Sequence, residues 1–270
     1  MLLPTGATHA TLDGKAATGN SMELWLVDLA AAAPALEALE RQVSRLSADD
    51  RTRAARLRDE SERRQRLAAY IALRIIIERI GGAQVRQRAF LRSASGRPHL
   101  GEAAPSFSLS HSGGWALLGV ARSPIGVDLE AHRRLKMSTR RRQEILAIGA
   151  GLARPLAWEG TEAPLLQAWC RLEAYAKATG QGLAHILTEL GLRQASGRQL
   201  VAGEIEAAAR RLAGAGGMAV WDLKLPLGLY GAVACTGVHR LARVRRFPAD
   251  RGALARLFAG PPSRAASGGR

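Results

Sequence analysis

The sequence predicts an α+β protein of two similar lobes, each an antiparallel sheet packed with a long helix. Short apolar runs that read as strands occur in both halves of the chain. Each half also contains one strongly periodic helix, at about 62–80 and 164–180. Strands and helices do not alternate regularly, which disfavours a parallel βαβ sheet and indicates lobes at 22–123 and 124–247.

The first lobe is expected to begin with a strand at 22–29, followed by a helix at 34–46 whose apolar residues recur on one face. Ser47 precedes two aspartates and is suited to cap the arginine-rich helix that comes next. The long helix from about Glu62 has a broad apolar face. It ends at Gly81, the first of two consecutive glycines, which commonly terminate helices.

Three short apolar runs follow, at 106–112, 115–121 and 124–130, separated by a Gly-Gly pair and an Arg-Ser pair. We expect them to be strands of one antiparallel sheet. Near the carboxyl end, 218–226 and 230–237 read as a further strand pair, joined by a turn with proline and glycine. Both lobes are therefore expected to contain paired strands.

The composition is that of a globular protein, because 270 residues with 47% hydrophobic content can bury a substantial core. The segments 1–21 and 248–270 lack apolar periodicity, and we expect both to be flexible. The sequence has no long apolar run and no secretory leader, which predicts a soluble, cytoplasmic protein without a membrane partner. Cys170 and Cys235 show neither metal nor disulfide spacing and are expected to be buried thiols.

The net charge of +16 comes almost entirely from arginine, since only four of the 39 basic residues are lysines. Arginine presents a planar fork of donors that suits phosphate and carboxylate groups. The charge therefore indicates a phosphorylated small molecule, a nucleic acid or an acidic protein as partner. Solvated arginines that reflect a GC-rich genome are the alternative, and composition alone leaves these interpretations open.

Asp128 and Glu130 lie two residues apart at the end of the predicted strand 124–130, and this period places both carboxylates on one face. Adjacent carboxylates repel each other unless a cation lies between them. Mg²⁺ is the preferred cation, because it binds through few carboxylates and completes its shell with water and phosphate. The same pattern is common where a strand emerges into solvent, so the pair alone leaves both interpretations open.

Glu173 and Lys177 lie on the same face of the predicted helix 164–180 as Trp169. Glu173 could be a third metal ligand or a base, and Lys177 could bind phosphate. An ordinary Glu–Lys helix pair is the alternative. His111 lies in a Ser-His-Ser-Gly-Gly turn, where a polar turn residue is more common than a catalyst. The sequence has no nucleophile elbow, phosphate loop or dinucleotide-binding glycine motif.

The combination and order of these features resembles a known family. SFSLSHSGGWALLGVA, then PIGVDLE, then WCRLEAYAKATGQGL are similar to the signature of the surfactin-synthetase-activating, two-lobed 4′-phosphopantetheinyl transferases. GRPHL upstream resembles that family's Gly-Lys/Arg-Pro element, and the motifs together cover 95–183. The resemblance implies two lobes related by a pseudo-twofold in one monomeric chain, with coenzyme A and Mg²⁺ bound between them.

Carried over by position, the resemblance implies a metal site and a coenzyme A site. The implied Mg²⁺ ligands are Asp128, Glu130 and Glu173. The implied catalytic residues are Glu173, Lys177 and His111. The implied contacts to coenzyme A are Arg53, Arg64, Arg66, Arg97, His111 and Lys177. The first three of these arginines are proposed only as a group, because Gln65 occupies the position of the family's central arginine.

The chain departs from the family pattern at two further places. Leu172 stands where many relatives have a lysine, although Arg171 beside it could supply the charge. The segment 131–163 lacks the usual aromatic residue and Ser-x-x-Glu pattern. Because that segment helps carrier recognition in the family, carriers of fatty acid, polyketide and nonribosomal peptide synthases are all left open.

The resemblance implies a holo-acyl-carrier-protein synthase. Such an enzyme moves the 4′-phosphopantetheine group of coenzyme A to a serine of an apo acyl or peptidyl carrier protein, releases 3′,5′-ADP and requires Mg²⁺. These carriers are acidic, so the positive charge could steer the encounter. A non-catalytic relative that binds coenzyme A or a carrier is the main alternative. Charge alone suggests nucleic-acid binding, but 4% aromatic content leaves few stacking platforms, and no nucleic-acid partner is expected.

Overall fold

The fold is α+β, as predicted. The computed structural model describes residues 22–94, 96–101, 104–153, 162–192, 200–237 and 242–259, so the predicted flexible segment 1–21 lies outside the described residues. The strands are β1 (Met22–Asp28), β2 (Leu91–Arg92), β3 (Pro98–His99), β4 (Ser106–Ser112), β5 (Trp115–Ala121), β6 (Ile125–Ala131), β7 (Met218–Asp222), β8 (Leu229–Thr236) and β9 (Val244–Arg246). The α-helices are α1 (Leu29–Gln42), α2 (Ala48–Ala55), α3 (Glu60–Gly81), α4 (Thr139–Leu152), α5 (Glu162–Thr179), α6 (Leu183–Glu189), α7 (Ala202–Ala215) and α8 (Arg251–Ala259). A short 3₁₀ helix follows α3 at Ala83–Val85.

The first sheet has the strand order β4-β5-β1-β9. β1 and β5 pair antiparallel along their whole length, with Met22 opposite Ala121. β4 and β5 form a hairpin whose two-residue turn is Gly113-Gly114, with φ angles of 58° and 81°. A turn of this type requires positive φ at both central positions, which glycine adopts without steric cost. The Gly-Gly pair therefore fixes the register of these two strands.

β6 belongs to a second sheet, so the prediction that the three consecutive strands share one sheet is wrong. The second sheet is antiparallel with the order β6-β8-β7, which confirms the predicted strand pair near the carboxyl end. On the side that faces β4, backbone N–H groups of β6 donate to serine hydroxyls of β4 and not to its backbone carbonyls. Val127 N donates to Ser108 Oγ at 3.0 Å, and Ala131 N donates to Ser112 Oγ at 3.0 Å.

The chain returns to the first sheet after β8. β9 pairs parallel with β1, so the first sheet is mixed and not purely antiparallel as expected. Within the tail predicted over 248–270, Arg251–Ala259 form α8, and 260–270 lie outside the described residues. Leu254 of α8 is fully buried in the core that α1 also lines. Contacts with elements distant in the sequence stabilise this short helix, and such contacts cannot be predicted from the local apolar pattern.

The described elements pack in four main layers. α1 and α3 cover one face of the first sheet, and the second sheet packs against its other face. α5 and α7 cover the outer face of the second sheet, and α4 packs on both helices. The alternation along β1 follows this arrangement, because Trp25 and Val27 point toward α1 and α3 whereas Leu24 and Leu26 lie between the sheets. Each sheet thus carries one long helix on its outer face.

The first helix begins earlier than the predicted 34–46, because Asp28 caps it. The Asp28 carboxylate accepts a hydrogen bond from Ala31 N at 3.0 Å, and this satisfies a free N–H group in the first turn. The predicted cap at Ser47 is confirmed. Its hydroxyl accepts from Asp50 N while the Asp50 carboxylate accepts from Ser47 N, which forms a reciprocal capping box.

The two long helices predicted for the two halves are confirmed as α3 and α5. α3 ends at Gly81 and is followed by Gly82 with a φ of 81°, and α5 is followed by Gly180 with a φ of 68°. Cys170 on α5 and Cys235 on β8 are buried free thiols, as predicted. Across the described ranges, we find no helix that combines the length and the apolar character needed to cross a bilayer.

Candidate active site

β6 and α5 meet at a direct backbone contact, which brings the two parts of the predicted site together. Gly126 permits this contact, because a Cβ at that position would lie 2.1 Å from Ala174 O and 2.4 Å from Ala178 N. Farther along β6, Asp128 reaches α5, where Lys177 Nζ donates to its Oδ1 at 2.6 Å. The glycine of PIGVDLE therefore sets the distance between strand and helix.

Asp128 is the most buried of the predicted metal ligands, with 5% of its surface exposed. Its Oδ1 accepts hydrogen bonds from Ser110 Oγ at 2.8 Å and from Lys177 Nζ at 2.6 Å. Its Oδ2 is buried and has no hydrogen-bond partner among the described residues. A buried carboxylate oxygen without a partner is costly, and a hard cation is a ligand that would satisfy it.

Glu130 is held by residues on both sides. Its Oε2 accepts from Ser112 Oγ at 3.1 Å and from Arg133 Nε at 3.0 Å, and its Oε1 accepts from Arg133 Nη2 at 2.7 Å. The guanidinium of Arg133 therefore binds this carboxylate through two donors. Ser112 also accepts from Ala131 N, so the same hydroxyl fixes both the backbone and the side chain at the end of β6.

Three alternating serines of β4 hold β6, two of them through its carboxylates, and the sequence analysis missed them. Ser108 binds the β6 backbone, Ser110 donates to Asp128, and Ser112 donates to Glu130. Alternate residues of a strand point to the same side, so Ser-x-Ser-x-Ser is the sequence signal of this row. The signal identifies the row of hydroxyls, but only the packing of the two sheets shows what they face.

Glu173 is half-buried on α5 and forms no hydrogen bond or ion pair with the described residues. Burial raises the pKa of its carboxyl, and the negative charges of Asp128 and Glu130 raise it further while Lys177 lowers it. The described residues contain no ready cluster of three or more metal-ligating side chains. The donor set nevertheless fits a hard cation, because Asp128 Oδ2 is unsatisfied and the neighbouring groups are carboxylates.

A cavity of about 390 Å³ opens beside this carboxylate pair, between α2, α3, β4 and α5. This volume lies within the range of ~300–1,000 Å³ that is usual for small-molecule sites. The predicted residues that line it are Arg53, Arg66, Arg97, His111, Glu173 and Lys177. Among the residues that the structure describes, four arginines and one lysine line the cavity, against two carboxylates, Asp50 and Glu173. Such an excess of positive charge suits a ligand that carries several phosphates.

The arginines predicted as a group separate in the structure. Arg66 faces the cavity, and its Nε is buried without a hydrogen-bond partner among the described residues. Arg64 lies outside the cavity lining and pairs with Glu37 at 2.6 Å. The two residues are two positions apart on α3, and a helix directs such side chains to opposite sides. Arg53 lines the cavity and pairs with Asp49 at 2.8 Å.

Arg97 holds the β2–β3 hairpin against the end of α5. Its guanidinium donates to Ala178 O at 2.8 Å, Ser106 Oγ at 2.6 Å and Ile125 O at 3.3 Å. Burial lowers the pKa of Arg97. This side chain therefore both lines the cavity and ties three elements together.

The cavity also contains residues that the sequence analysis did not select. Arg92 adds a further positive charge, and Tyr70 and Phe90 supply aromatic surface. Arg74 lies behind this wall, fully buried, where it pairs with Asp50 at 2.7 Å and stacks over Phe90 at 3.8 Å. Isolated arginines and aromatic residues carry no recognisable spacing, so packing was needed to identify them.

The structure changes the interpretation of the unusual Leu172. This side chain is buried in the core of α4, α5 and α7. The neighbouring Arg171 does not supply charge to the cavity, because it is buried and pairs with Asp222 on β7 at 2.5 Å. It also donates to Gly149 O of α4 at 2.8 Å. The expectation that Arg171 replaces a lysine at the site is therefore wrong.

His111 is predicted to be neutral at pH 7. The side chain is exposed, but the protein atoms around its ring displace part of its water and lower its pKa, and the positive charges of Arg66 and Lys177 lower it further, so the pKa lies below the usual 6.5. Between that lowered pKa and 6.5 the unfolded chain binds more protons, so the contribution of His111 to the free energy of unfolding rises with pH in this window. NMR titration of the histidine rings measures the pKa directly, with a His111→Gln variant for assignment.

Arg66→Gln should raise the pKa of His111, because it removes one of the two positive charges. Arg64→Gln is the matched control. It removes the same charge two residues away, where Glu37 already pairs with it, and should leave the His111 titration unchanged. Equal shifts in both variants would contradict the placement of Arg66 beside His111.

Comparison with known proteins gives the family of this chain. No protein-family model matches it. The chain is 28% identical over 157 residues to the 4′-phosphopantetheinyl transferase psf-1 of Bacillus pumilus, and the match covers 55% of this chain and 64% of that protein, less than two thirds of its length. It is 31% identical over 173 residues to the 4′-phosphopantetheinyl transferase HetI of Nostoc, covering 62% of this chain and 72% of HetI. With this identity and coverage, the chain belongs to the 4′-phosphopantetheinyl transferase family.

Proposed function

We propose that this protein transfers the 4′-phosphopantetheine group of coenzyme A to a serine of an apo acyl or peptidyl carrier protein and releases 3′,5′-ADP. The observation that carries the proposal is the strongly cationic cavity beside a buried, unsatisfied carboxylate oxygen, Asp128 Oδ2. A cavity of this charge suits the three phosphates of coenzyme A. The names of the relatives support the same reaction.

Different residues of the cavity would bind different parts of coenzyme A. Arg53 and Arg66, on α2 and α3, would contact the 3′-phosphate, and Arg97 and a neutral His111 would contact the nucleotide. Mg²⁺ held by Asp128, Glu130 and Glu173 would supply positive charge opposite the pyrophosphate when it is bound. Lys177 lies between Asp128 and the cavity, where its ammonium would face the leaving phosphate.

Glu173 is the residue best placed to take the proton of the carrier serine. A carboxyl whose pKa is raised is a stronger base than a solvated one. A carboxylate that binds Mg²⁺ is a poor base, so Glu173 would take the proton only while Asp128 and Glu130 alone hold the metal. As the serine Oγ forms its bond to phosphorus, the P–O bond to 3′,5′-ADP breaks, and Lys177 would neutralise or protonate the oxygen that leaves. The base and the acid thus lie one turn apart on α5.

The arrangement of the chain supports two further parts of the proposal. Each sheet carries one long helix, α3 or α5, as a pseudo-twofold pair of lobes would require. A cleft formed within one chain needs no second subunit, so we propose a monomer. The net charge of +16 would attract an acidic carrier, and raised ionic strength is then expected to weaken carrier binding.

Intact-mass spectrometry of an apo carrier protein, incubated with the protein, coenzyme A and Mg²⁺, tests the reaction. We expect a mass gain equal to one phosphopantetheine group that depends on Mg²⁺. Glu173→Gln should slow it by about 10²–10⁴-fold, the usual contribution of a general base. Glu189→Gln, which removes an acid on α6 paired only with His185 among the described residues, is the control and should transfer at the normal rate. Coenzyme A binding without transfer to several unrelated carriers would instead favour a non-catalytic relative.

A further inference from the structure

Arg133 is the residue whose contacts point beyond the predicted ligands. It lies in the connection between β6 and α4, and 52% of its side chain is exposed. Both of its described contacts go to Glu130, through Nε to Oε2 at 3.0 Å and through Nη2 to Oε1 at 2.7 Å. No other described residue holds this guanidinium, so it can leave Glu130 for water at little cost.

The carboxylates of Asp128 and Glu130 differ in how many hydrogen bonds each oxygen accepts. A carboxylate oxygen accepts about two hydrogen bonds. Oε2 of Glu130 already accepts from Ser112 and Arg133, and its Oε1 accepts from Arg133. Asp128 accepts twice at Oδ1 and not at all at Oδ2. Oδ2 of Asp128 therefore keeps both lone pairs free of described hydrogen bonds, whereas at Glu130 a cation meets the guanidinium of Arg133.

Lys177 cannot be displaced in the same way. Its ammonium donates to Asp128 Oδ1 at 2.6 Å and also to Ser110 Oγ and Val127 O, both at 3.3 Å. With these contacts the Lys177 side chain is 32% exposed. Lys177 binds Oδ1 of Asp128, whereas the oxygen without a partner is Oδ2. Of the two cations beside the carboxylates, Arg133 is thus the one that a divalent ion would replace.

We propose that Arg133 is a displaceable counter-ion of the metal site. It neutralises Glu130 while no metal is bound, and a divalent cation must displace its Nη2 from Oε1 to take Glu130 as a ligand. This inference rests on the proposed metal-dependent function. Its consequence is that Arg133 weakens the binding of the metal, because each binding event breaks the Arg133–Glu130 ion pair.

Metal binding to the full chain without coenzyme A or carrier tests this inference. Mn²⁺ is titrated into wild type, Arg133→Gln and Arg133→Lys, and free Mn²⁺ is measured by its EPR signal. Arg133→Gln should bind about two- to fivefold more tightly, the worth of an exposed bidentate ion pair. Arg133→Lys, which retains the charge with fewer matched donors, should fall between the two. Asp128→Asn should lose the binding in every background.

Arg134→Gln is the matched control, since it removes the same charge from the next residue, which is also exposed. It should change Mn²⁺ affinity by less than about twofold, because solvent and salt screen the charge of a residue that does not contact Glu130. Weaker binding in Arg133→Gln would overturn the inference and show that Arg133 orients Glu130 for the metal. Unchanged binding would also overturn it, because the ion pair would then not oppose the metal. No Mn²⁺ binding in either wild type or Arg133→Gln would also overturn it, whereas the transfer assay with Mg²⁺ would still decide the proposed function.

Discussion

Asp128→Asn is expected to reduce phosphopantetheine transfer by about a thousandfold, which corresponds to several kcal/mol of transition-state stabilisation by a metal. The substitution keeps the shape of the side chain but removes its negative charge. It also places an amide NH₂, which cannot bind a cation, at one of the two oxygen positions. The loss should fall on the rate of transfer, because the arginines of the cavity are unchanged.

The variant is measured by the rate of holo-carrier formation and by coenzyme A binding without metal. Coenzyme A affinity should stay within a few-fold of the wild type, since Asp128 does not line the cavity. Glu206→Gln on α7 is the matched control, because it also neutralises one acid, paired with Arg210 on the same helix. A transfer rate for Asp128→Asn within tenfold of that control would exclude Asp128 as an essential metal ligand.

Gly126→Ala is expected to lower the free energy of unfolding by about 3 kcal/mol or more, a value reached when a new side chain meets tightly packed atoms. The added Cβ would lie 2.1 Å from a carbonyl oxygen and 2.4 Å from a backbone nitrogen of α5. Backbone atoms cannot rotate away as a flexible side chain can. Strand and helix must therefore separate, and the contact between Asp128 and Lys177 should lengthen.

Equilibrium unfolding in urea compares Gly126→Ala with Gly214→Ala. Gly214 lies on α7, and a Cβ added there would meet no atom within 4 Å outside its chain neighbours and the backbone of its own helix. Alanine should therefore be neutral or stabilising by up to about 1 kcal/mol. The same methyl group is added in both variants, and only the packing differs. Equal midpoints for the two variants would contradict the backbone contact between β6 and α5.

The sequence by itself determined the elements whose signals are local. The periodic helices α3 and α5, the Gly113-Gly114 hairpin and the cap at Ser47 follow from residues that lie close together in the chain. The same holds for the chemistry that the motifs imply, because Asp-x-Glu on a strand and Glu-x-x-x-Lys on a helix each place two side chains on one face. Family membership also follows from the sequence.

Only the tertiary structure decided which elements meet. It placed β6 in the second sheet, returned β9 to β1 and formed α8 around a buried Leu254. Strand pairing depends on how whole faces of the sheets pack, and the sequence of a single strand does not identify the strand with which it pairs.

The individual charges of the site were also decided by tertiary contacts. Arg66 faces the cavity while Arg64 pairs with Glu37, and Arg171 pairs with Asp222 in the core. An arginine is the same residue in each of these positions, so its role depends on the acid or the cavity that packing brings to it. The physical reason is that an ion pair depends on distance in space, which sequence spacing fixes only within one helix or strand.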